Sequence, residues 1–117
     1  MPSIRLVLTT LPNAEIAGEL ARNLVDEGLA ACVNILSPCR SVYRWQGAVQ
    51  EDGEVPLFIK TTAELYPALE TYLRKRHPYA LPEILALAPA GGLPDYLAWV
   101  ASSTTIPAAP DPAATHD

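Results

Sequence analysis

Two neighbouring apolar segments joined by a tight turn constrain the fold of this chain more than any other feature. Residues 29–45 and 48–61 are rich in β-branched and aromatic side chains, and Gln46-Gly47 between them suits a hairpin turn. Arms of ~14 residues extend about 48 Å at ~3.4 Å per residue. A compact domain of this length has a radius of gyration near ~13 Å and a diameter of roughly 33 Å. The hairpin therefore overruns its own domain, and we predict that further copies of the chain cover its apolar positions.

The segment before the hairpin predicts a strand followed by a helix. Residues 4–10 form a short β-branched run. Asn13 can then cap a helix whose apolar residues recur at three- and four-residue spacing, and Gly28 offers its C-terminal stop. One face of this helix is apolar and is expected to pack on a sheet.

The segment after the hairpin predicts a helix followed by a strand. Residues 61–64 fit a capping box, and Pro67 either kinks the helix or moves its start a few residues later. A strand over 81–88 and a short C-terminal helix over 94–101 follow. The order of elements predicts an α+β fold of the ferredoxin-like (βαβ-βαβ) kind, an antiparallel sheet with helices on one face. Pro38 and Pro56 interrupt the hairpin arms and should each mark a bulge, a bend or an edge.

Composition and charge restrict the interpretation further. The 117 residues fit one domain, predicted over residues 1–103, and the Pro/Ala-rich segment 104–117 predicts a disordered tail. A net charge of −5 repels phosphate backbones, and the N-terminus has no apolar run long enough for a signal peptide or a membrane span. We therefore expect a soluble cytosolic protein with no nucleic-acid and no membrane partner. Catalytic motifs of hydrolases, P-loop proteins and zinc proteases are absent from the sequence, so no enzyme is expected.

The chain resembles the divalent-cation tolerance protein CutA family in five sequence blocks, which are residues 24–35, 41–47, 59–61, 77–84 and 96–99. The resemblance implies a ferredoxin-like subunit in a tight homotrimer, similar in architecture to PII-type signalling proteins. It also implies a role in tolerance of copper and other divalent cations. Copper or another divalent cation is the candidate ligand, and no firmly bound cofactor is implied.

The candidate metal ligands are His77 and Cys39. Copper-binding members of the family resemble one another in a cysteine near the end of the first strand and in a His-His pair before Pro-Tyr. This chain has Thr9 and Arg76-His77 at these places, so only His77 matches. The alternative role for His77 is hydrogen bonding at a helix end. Cys32 is expected to be a small core residue, and Cys39 is the more exposed thiol. The acidic run 51–54 is expected to be a solvated turn that collects cations only weakly.

The candidate ligand-binding residues are Trp45, Lys60, Tyr79 and Glu83. Lys60 ends the hairpin and Glu83 opens the next strand, so both are expected to face a cleft between subunits, with an ion pair as the alternative. Trp45 and Tyr79 offer aromatic surface for a ligand or for an interface. A PII-like binder of an organic anion, held by Lys60 and arginines, is the second hypothesis. A hydrolase or isomerase that uses His77 and Glu83 as acid and base is the third.

Overall fold

The computed structural model describes residues 2–105, which form a five-stranded antiparallel sheet and three helices. The strand order is β2-β4-β1-β5, and β3 pairs with the other end of β4. This arrangement confirms the α+β fold. The elements are β1 Ile4–Leu11, α1 Ala14–Asp26, β2 Cys32–Ile35, β3 Cys39–Trp45, β4 Ala48–Thr62, α2 Tyr66–Arg76, β5 Leu85–Leu87 and α3 Pro94–Ser102.

The first helix begins and ends where the sequence predicts. The Asn13 side chain accepts a hydrogen bond from the backbone N–H of Ile16 at 2.9 Å, which satisfies one free donor of the first turn. Gly28 follows the helix with a φ of 74°, the left-handed conformation that closes many helices. The Gly28 carbonyl also accepts from the N–H of Thr105 at 2.9 Å. The described chain thus ends against this turn, and residues 106–117 of the predicted tail lie outside the described part.

The hairpin turn is also as predicted. Gln46 and Gly47 both have positive φ values, 51° and 81°, as a two-residue turn of the I′ type requires. The first half of β4 pairs with β3 from Trp45 opposite Ala48 to Cys39 opposite Glu54. Its second half lies between β1 and β2 in the main sheet. The hairpin consequently projects beyond the body, and the longest dimension of the molecule reaches 49 Å.

The first arm is not the single continuous strand that residues 29–45 predicted. It begins late because the N–H groups of Leu29 and Ala30 both bond to the Leu24 carbonyl and close the helix end. It is then broken between β2 and β3, where Pro38 has no N–H to donate. Residues 36–38 thus interrupt the arm at the proline where an irregularity was predicted. On β4, Pro56 keeps its place in the ladder by accepting from the N–H of Leu36 at 3.0 Å.

The second half of the chain differs from the prediction at two element starts. Helix α2 begins at Tyr66 with Pro67 in its first turn, so the later start is the correct alternative. Thr62 accepts from the N–H of Leu65 at 3.2 Å, although the cap position itself is Leu65 and makes no side-chain bond. The strand predicted over 81–88 is shorter, because β5 pairs with β1 only from Leu85 to Leu87.

The two faces of the sheet differ in what covers them. Alternate residues of the strands point to one face, where they pack with α1 and α2 into the core. That core includes Val7, Leu11, Leu57 and Ile59 from the sheet and Leu24, Leu69 and Leu73 from the helices. On the opposite face Phe58, Leu85 and Leu87 are exposed, and Leu85 keeps 55% of its surface. We call this second surface the open sheet face. No helix among residues 2–105 is long and apolar enough to cross a membrane.

Candidate functional site

His77 joins the end of α2 to the end of β1. The residue is 8% exposed, and its ring nitrogen Nε2 lies 2.8 Å from the carbonyl oxygen of Thr10. The backbone N–H of Tyr79 donates to Nδ1 at 3.2 Å. Because a backbone N–H only donates, Nδ1 is the acceptor and the proton sits on Nε2, which donates to Thr10. Burial lowers the pKa of His77, against the opposing effects of the Thr10 carbonyl and the Glu54 carboxylate.

This geometry corresponds to the hydrogen-bonding alternative for His77. Both ring nitrogens are engaged within the chain, so a metal ion at either nitrogen has to replace one of the two bonds. The same bonds fix the position of Tyr79, whose ring centroid lies 4.9 Å from that of His77.

Tyr79 reaches from the loop after α2 to the base of the hairpin, which is the part of β4 around Glu54 where the strand leaves the main sheet. Burial is the main factor that raises the pKa of Tyr79, and hydrogen bonding to the Glu54 carboxylate raises it further. The hydroxyl therefore stays protonated and is able to donate to this carboxylate. Sequence reasoning identified Tyr79 as a candidate but not its partner, because Glu54 is twenty-five positions away and the pairing depends on the tertiary fold.

A second tyrosine and a second carboxylate lie next to this pair. Tyr43 on β3 donates a hydrogen bond to Asp52 on β4, and this bond is the main factor that raises the pKa of Tyr43. Asp52 and Glu54 are two residues apart on one strand, so their side chains point to the same face. We call Tyr43, Asp52, Glu54 and Tyr79 the tyrosine–carboxylate cluster. The solvated turn expected over 51–54 is wrong, because these residues continue β4 without interruption.

Cys39 lies beside this cluster. It is an exposed free thiol and occupies the register position directly opposite Glu54. The structure thus places Cys39 and Tyr79 next to the same carboxylate. Within residues 2–105, however, no group of three or more histidine, cysteine, aspartate and glutamate side chains is arranged to hold a metal ion.

Lys60 lies at the other end of β4, on the open sheet face. Its ammonium group donates to the Asn34 side chain and lies 4.0 Å from Cys32 Sγ. The ion pair with Glu83 that the sequence offered as an alternative does not form, and Glu83 is exposed in the irregular segment before β5. Across the described residues the one ion pair joins Arg40 to Glu51 on the hairpin.

One copy of the chain does not gather the candidate ligand residues into one pocket. Lys60 is six positions from Glu54 along β4, which is about 20 Å in a strand. Trp45 lies opposite Ala48, six positions beyond Glu54 in the other direction and so about 20 Å farther along the hairpin. Trp45, Tyr79 and Lys60 therefore lie beside different points along the length of β4, and only Lys60 belongs to that strand.

Three comparisons with known proteins agree on the relatives of this chain. The family model described as CutA1 divalent ion tolerance protein matches residues 5–103. The divalent-cation tolerance protein CutA of Thermus thermophilus is 48% identical over 99 residues, which are 85% of this chain and 96% of that protein. Protein CutA of Mus musculus is 44% identical over 84% of this chain, which spans only 55% of the mouse protein.

Solved structures give the same answer. The crystal structure of CutA1 from Oryza sativa superposes on this chain with a TM-score of 0.86 and 42% identity, covering 89% of this chain and 95% of that one. The family model spans nearly all of the described residues. The sequence identities of 42–48% over most of the chain are too high to arise by chance. This chain belongs to the CutA1 family of divalent ion tolerance proteins.

Proposed function

We propose that this chain is a non-enzymatic binding protein in divalent-cation tolerance, and that its ligand sites form where copies of the chain meet. The observation that carries the proposal is the spacing of Trp45, Tyr79 and Lys60 along β4. In one copy they are separated by steps of about 20 Å. A pocket that contains more than one of them requires the hairpin of one copy to lie against the sheet of another.

Exposed apolar surface supports the self-association. The projecting hairpin leaves Val42 and Val49 about two-thirds exposed, at 64% and 65%. The open sheet face adds Phe58, Leu85 and Leu87. Exposed apolar residues that group together mark protein–protein contact surfaces. When the hairpin of each copy docks on the sheet of the next, the contact is heterologous and closes as a ring. The number of copies, three, is taken from the family resemblance.

The tyrosine–carboxylate cluster is the proposed contact for the ligand. Its two carboxylate groups supply oxygen atoms of the kind that hard divalent cations prefer, and Cys39 beside Glu54 supplies a softer sulfur donor that suits copper. His77 then acts by holding Tyr79 in place through its own two hydrogen bonds. Trp45 and Glu83, both exposed, are proposed to complete the site from a neighbouring copy.

Sedimentation equilibrium tests the assembly. We expect a species of three times the 12.6 kDa chain mass. A single species at the mass of one chain contradicts the proposal, because the candidate ligand residues then never meet.

Calorimetric titration with Cu²⁺ and Mg²⁺ tests the ligand. Glu54→Gln is expected to reduce the binding heat of both ions, and Cys39→Ser that of copper alone. Glu64→Gln is the matched control, since Glu64 is exposed in the turn before α2. Heats that are unchanged in both variants contradict the placement of the site. If His77→Asn abolishes the binding heat and Glu54→Gln keeps it, the cation binds at the imidazole instead of the cluster.

One observation favours the PII-like alternative, in which an organic anion is bound. The Lys60 ammonium group donates to a neutral amide, that of Asn34, so its charge is available to an anion. Titration with ATP and citrate tests this alternative, and loss of the heat in Lys60→Gln is its expected signature. The hydrolase alternative is not favoured, because both nitrogens of His77 are engaged and neither is free to exchange a proton. We place the protein in the cytoplasm, where thiols such as Cys32 and Cys39 remain reduced.

A further inference from the structure

A thiol and an amine face each other across β2 and β4. Cys32 and Lys60 are direct partners in the antiparallel register, and Lys60 Nζ lies 4.0 Å from Cys32 Sγ. Side chains at directly opposed positions project to the same face with Cβ atoms roughly 5 Å apart, so the contact follows from the register. Both side chains are partly exposed, and Cys32 is a free thiol.

The amine is also held in place. Asn34, two positions along β2 and on the same face, accepts a hydrogen bond from the same Nζ. This bond keeps the end of the flexible lysine side chain over the short strand β2 and beside the sulfur. The Cys32 thiol and the Lys60 amine are therefore two nucleophiles that are held next to each other on different strands.

We propose that Cys32 and Lys60 form a reversible covalent sulfenamide link when the chain meets a peroxide. In the first step Cys32 Sγ attacks hydrogen peroxide and the O–O bond breaks. The sulfur loses two electrons and becomes sulfenic acid, while the peroxide is reduced to water. In the second step the neutral amine of Lys60 attacks the sulfur and the S–O bond breaks. The leaving hydroxide takes a proton from the nitrogen and departs as water, which leaves an S–N bond.

The link has two consequences for the molecule. It ties β2, a four-residue strand at the sheet edge, covalently to the central strand β4. It also removes the positive charge of Lys60 from the open sheet face. A thiol reverses the link by attacking the sulfur, which releases the amine and leaves a mixed disulfide that a second thiol reduces.

The other partner for an oxidised Cys32 within the chain is Cys39, and the register excludes it. Cys32 lies opposite Lys60 and Cys39 lies opposite Glu54. These two positions on β4 are six residues apart, about 20 Å, whereas a disulfide needs Cα atoms within ~7 Å. The amine is thus the group in position to capture the sulfenic acid. The proposal rests on the register within one chain, and it requires that a hairpin docked on the open sheet face leave Cys32 accessible to peroxide.

Peptide mapping by mass spectrometry tests the link on the full-length chain. The protein is treated with hydrogen peroxide at about pH 9, where a larger share of lysine amines is neutral. We expect a loss of two hydrogen atoms, a linked pair of peptides that contain residues 32 and 60, and recovery of both peptides after dithiothreitol. Cys39→Ser should give the same linked pair.

Lys60→Arg is the matched control, because it keeps the positive charge but has no comparable nucleophile. In this variant we expect Cys32 to gain oxygen instead of losing hydrogen. Circular dichroism checks that the variant is folded. The proposal is overturned by wild-type protein in which Cys32 only gains oxygen or stays unoxidised. It is overturned equally by the same hydrogen loss in Lys60→Arg, or by a covalent dimer of Cys39→Ser on a non-reducing denaturing gel, which places the link between chains.

Discussion

Replacing His77 by glutamine should remove a specific part of the acid sensitivity of this protein. Burial is the main factor that lowers the pKa of His77 below its ordinary value of 6.5. In the unfolded chain the imidazole recovers that ordinary value and binds a proton more readily. Below pH ~6.5 the unfolded state therefore holds more protons than the folded state, and stability falls as the pH falls. The loss continues down to the lowered pKa of the folded state and then stops.

The size of the effect follows from proton linkage. One group that is protonated in the unfolded state and neutral in the folded state changes the free energy of unfolding by at most about 1.4 kcal/mol per pH unit. The hydrogen bonds also predict that acid lowers the free energy of unfolding. A protonated imidazole cannot accept the Tyr79 N–H at Nδ1, so that bond is lost on protonation. Glutamine offers an amide donor that can reach the Thr10 carbonyl, but it does not titrate.

Urea unfolding of the two proteins at a fixed chain concentration, between about pH 7.5 and 5.5, measures the difference. Wild type should lose stability relative to His77→Gln across this range, by no more than about 1.4 kcal/mol in total. The other histidine, His116, is present in both proteins and cancels, as do the carboxylates. Parallel pH profiles for the two proteins would refute the reasoning, since the buried neutral imidazole would then carry no proton linkage.

Three further substitutions test other parts of the structure by urea unfolding. Thr9→Val should raise the free energy of unfolding by about 1 kcal/mol, because the Thr9 hydroxyl is buried and has no hydrogen-bond partner among the described residues; an unchanged or lower value contradicts this. Gly28→Ala should cost about 1–2 kcal/mol, because Gly28 has a φ of 74° and an added Cβ lies 2.9 Å from a threonine side chain. Its control, Gly18→Ala in α1, meets nothing within 4 Å and should be neutral or stabilising. Tyr79→Phe should lose about 1 kcal/mol with the hydroxyl, whereas Tyr72→Phe keeps the ring that contacts an arginine and should lose little; equal losses would contradict the proposed bond.

Local sequence signals predicted the parts of the fold that local chemistry decides. Asn13, the Gln46-Gly47 turn and the strand break at Pro38 each act through their own backbone or side chain within a few residues. The late start of β2 was not predictable in this way. It depends on the Leu24 carbonyl accepting two N–H groups from Leu29 and Ala30, which in turn depends on how the helix end is closed.

The candidate site shows the same division between local and tertiary information. The sequence pointed to His77, Cys39 and Tyr79, which the structure places around the base of the hairpin. It did not reveal Glu54, because an acidic run with a glycine resembles a turn when its strand partners are unknown. Lys60 and Trp45 were grouped with Tyr79 by residue type, and only the register reveals that a single extended strand keeps them apart.

Polar contacts of His77 and Tyr79 reach the base of the hairpin, whereas apolar contacts hold the sheet and the helices together. Hydrogen bonds run from the Thr10 carbonyl through His77 to the backbone of Tyr79. The Tyr79 side chain lies close enough to Glu54, at the start of the projecting arm, for that carboxylate to raise the pKa of Tyr79. The core under α1 and α2 does not involve these groups. His77 and Tyr79 therefore connect the body to the hairpin through groups that lie outside the apolar core. We expect a change at Tyr79 to loosen this junction while the apolar core of the sheet and helices stays packed.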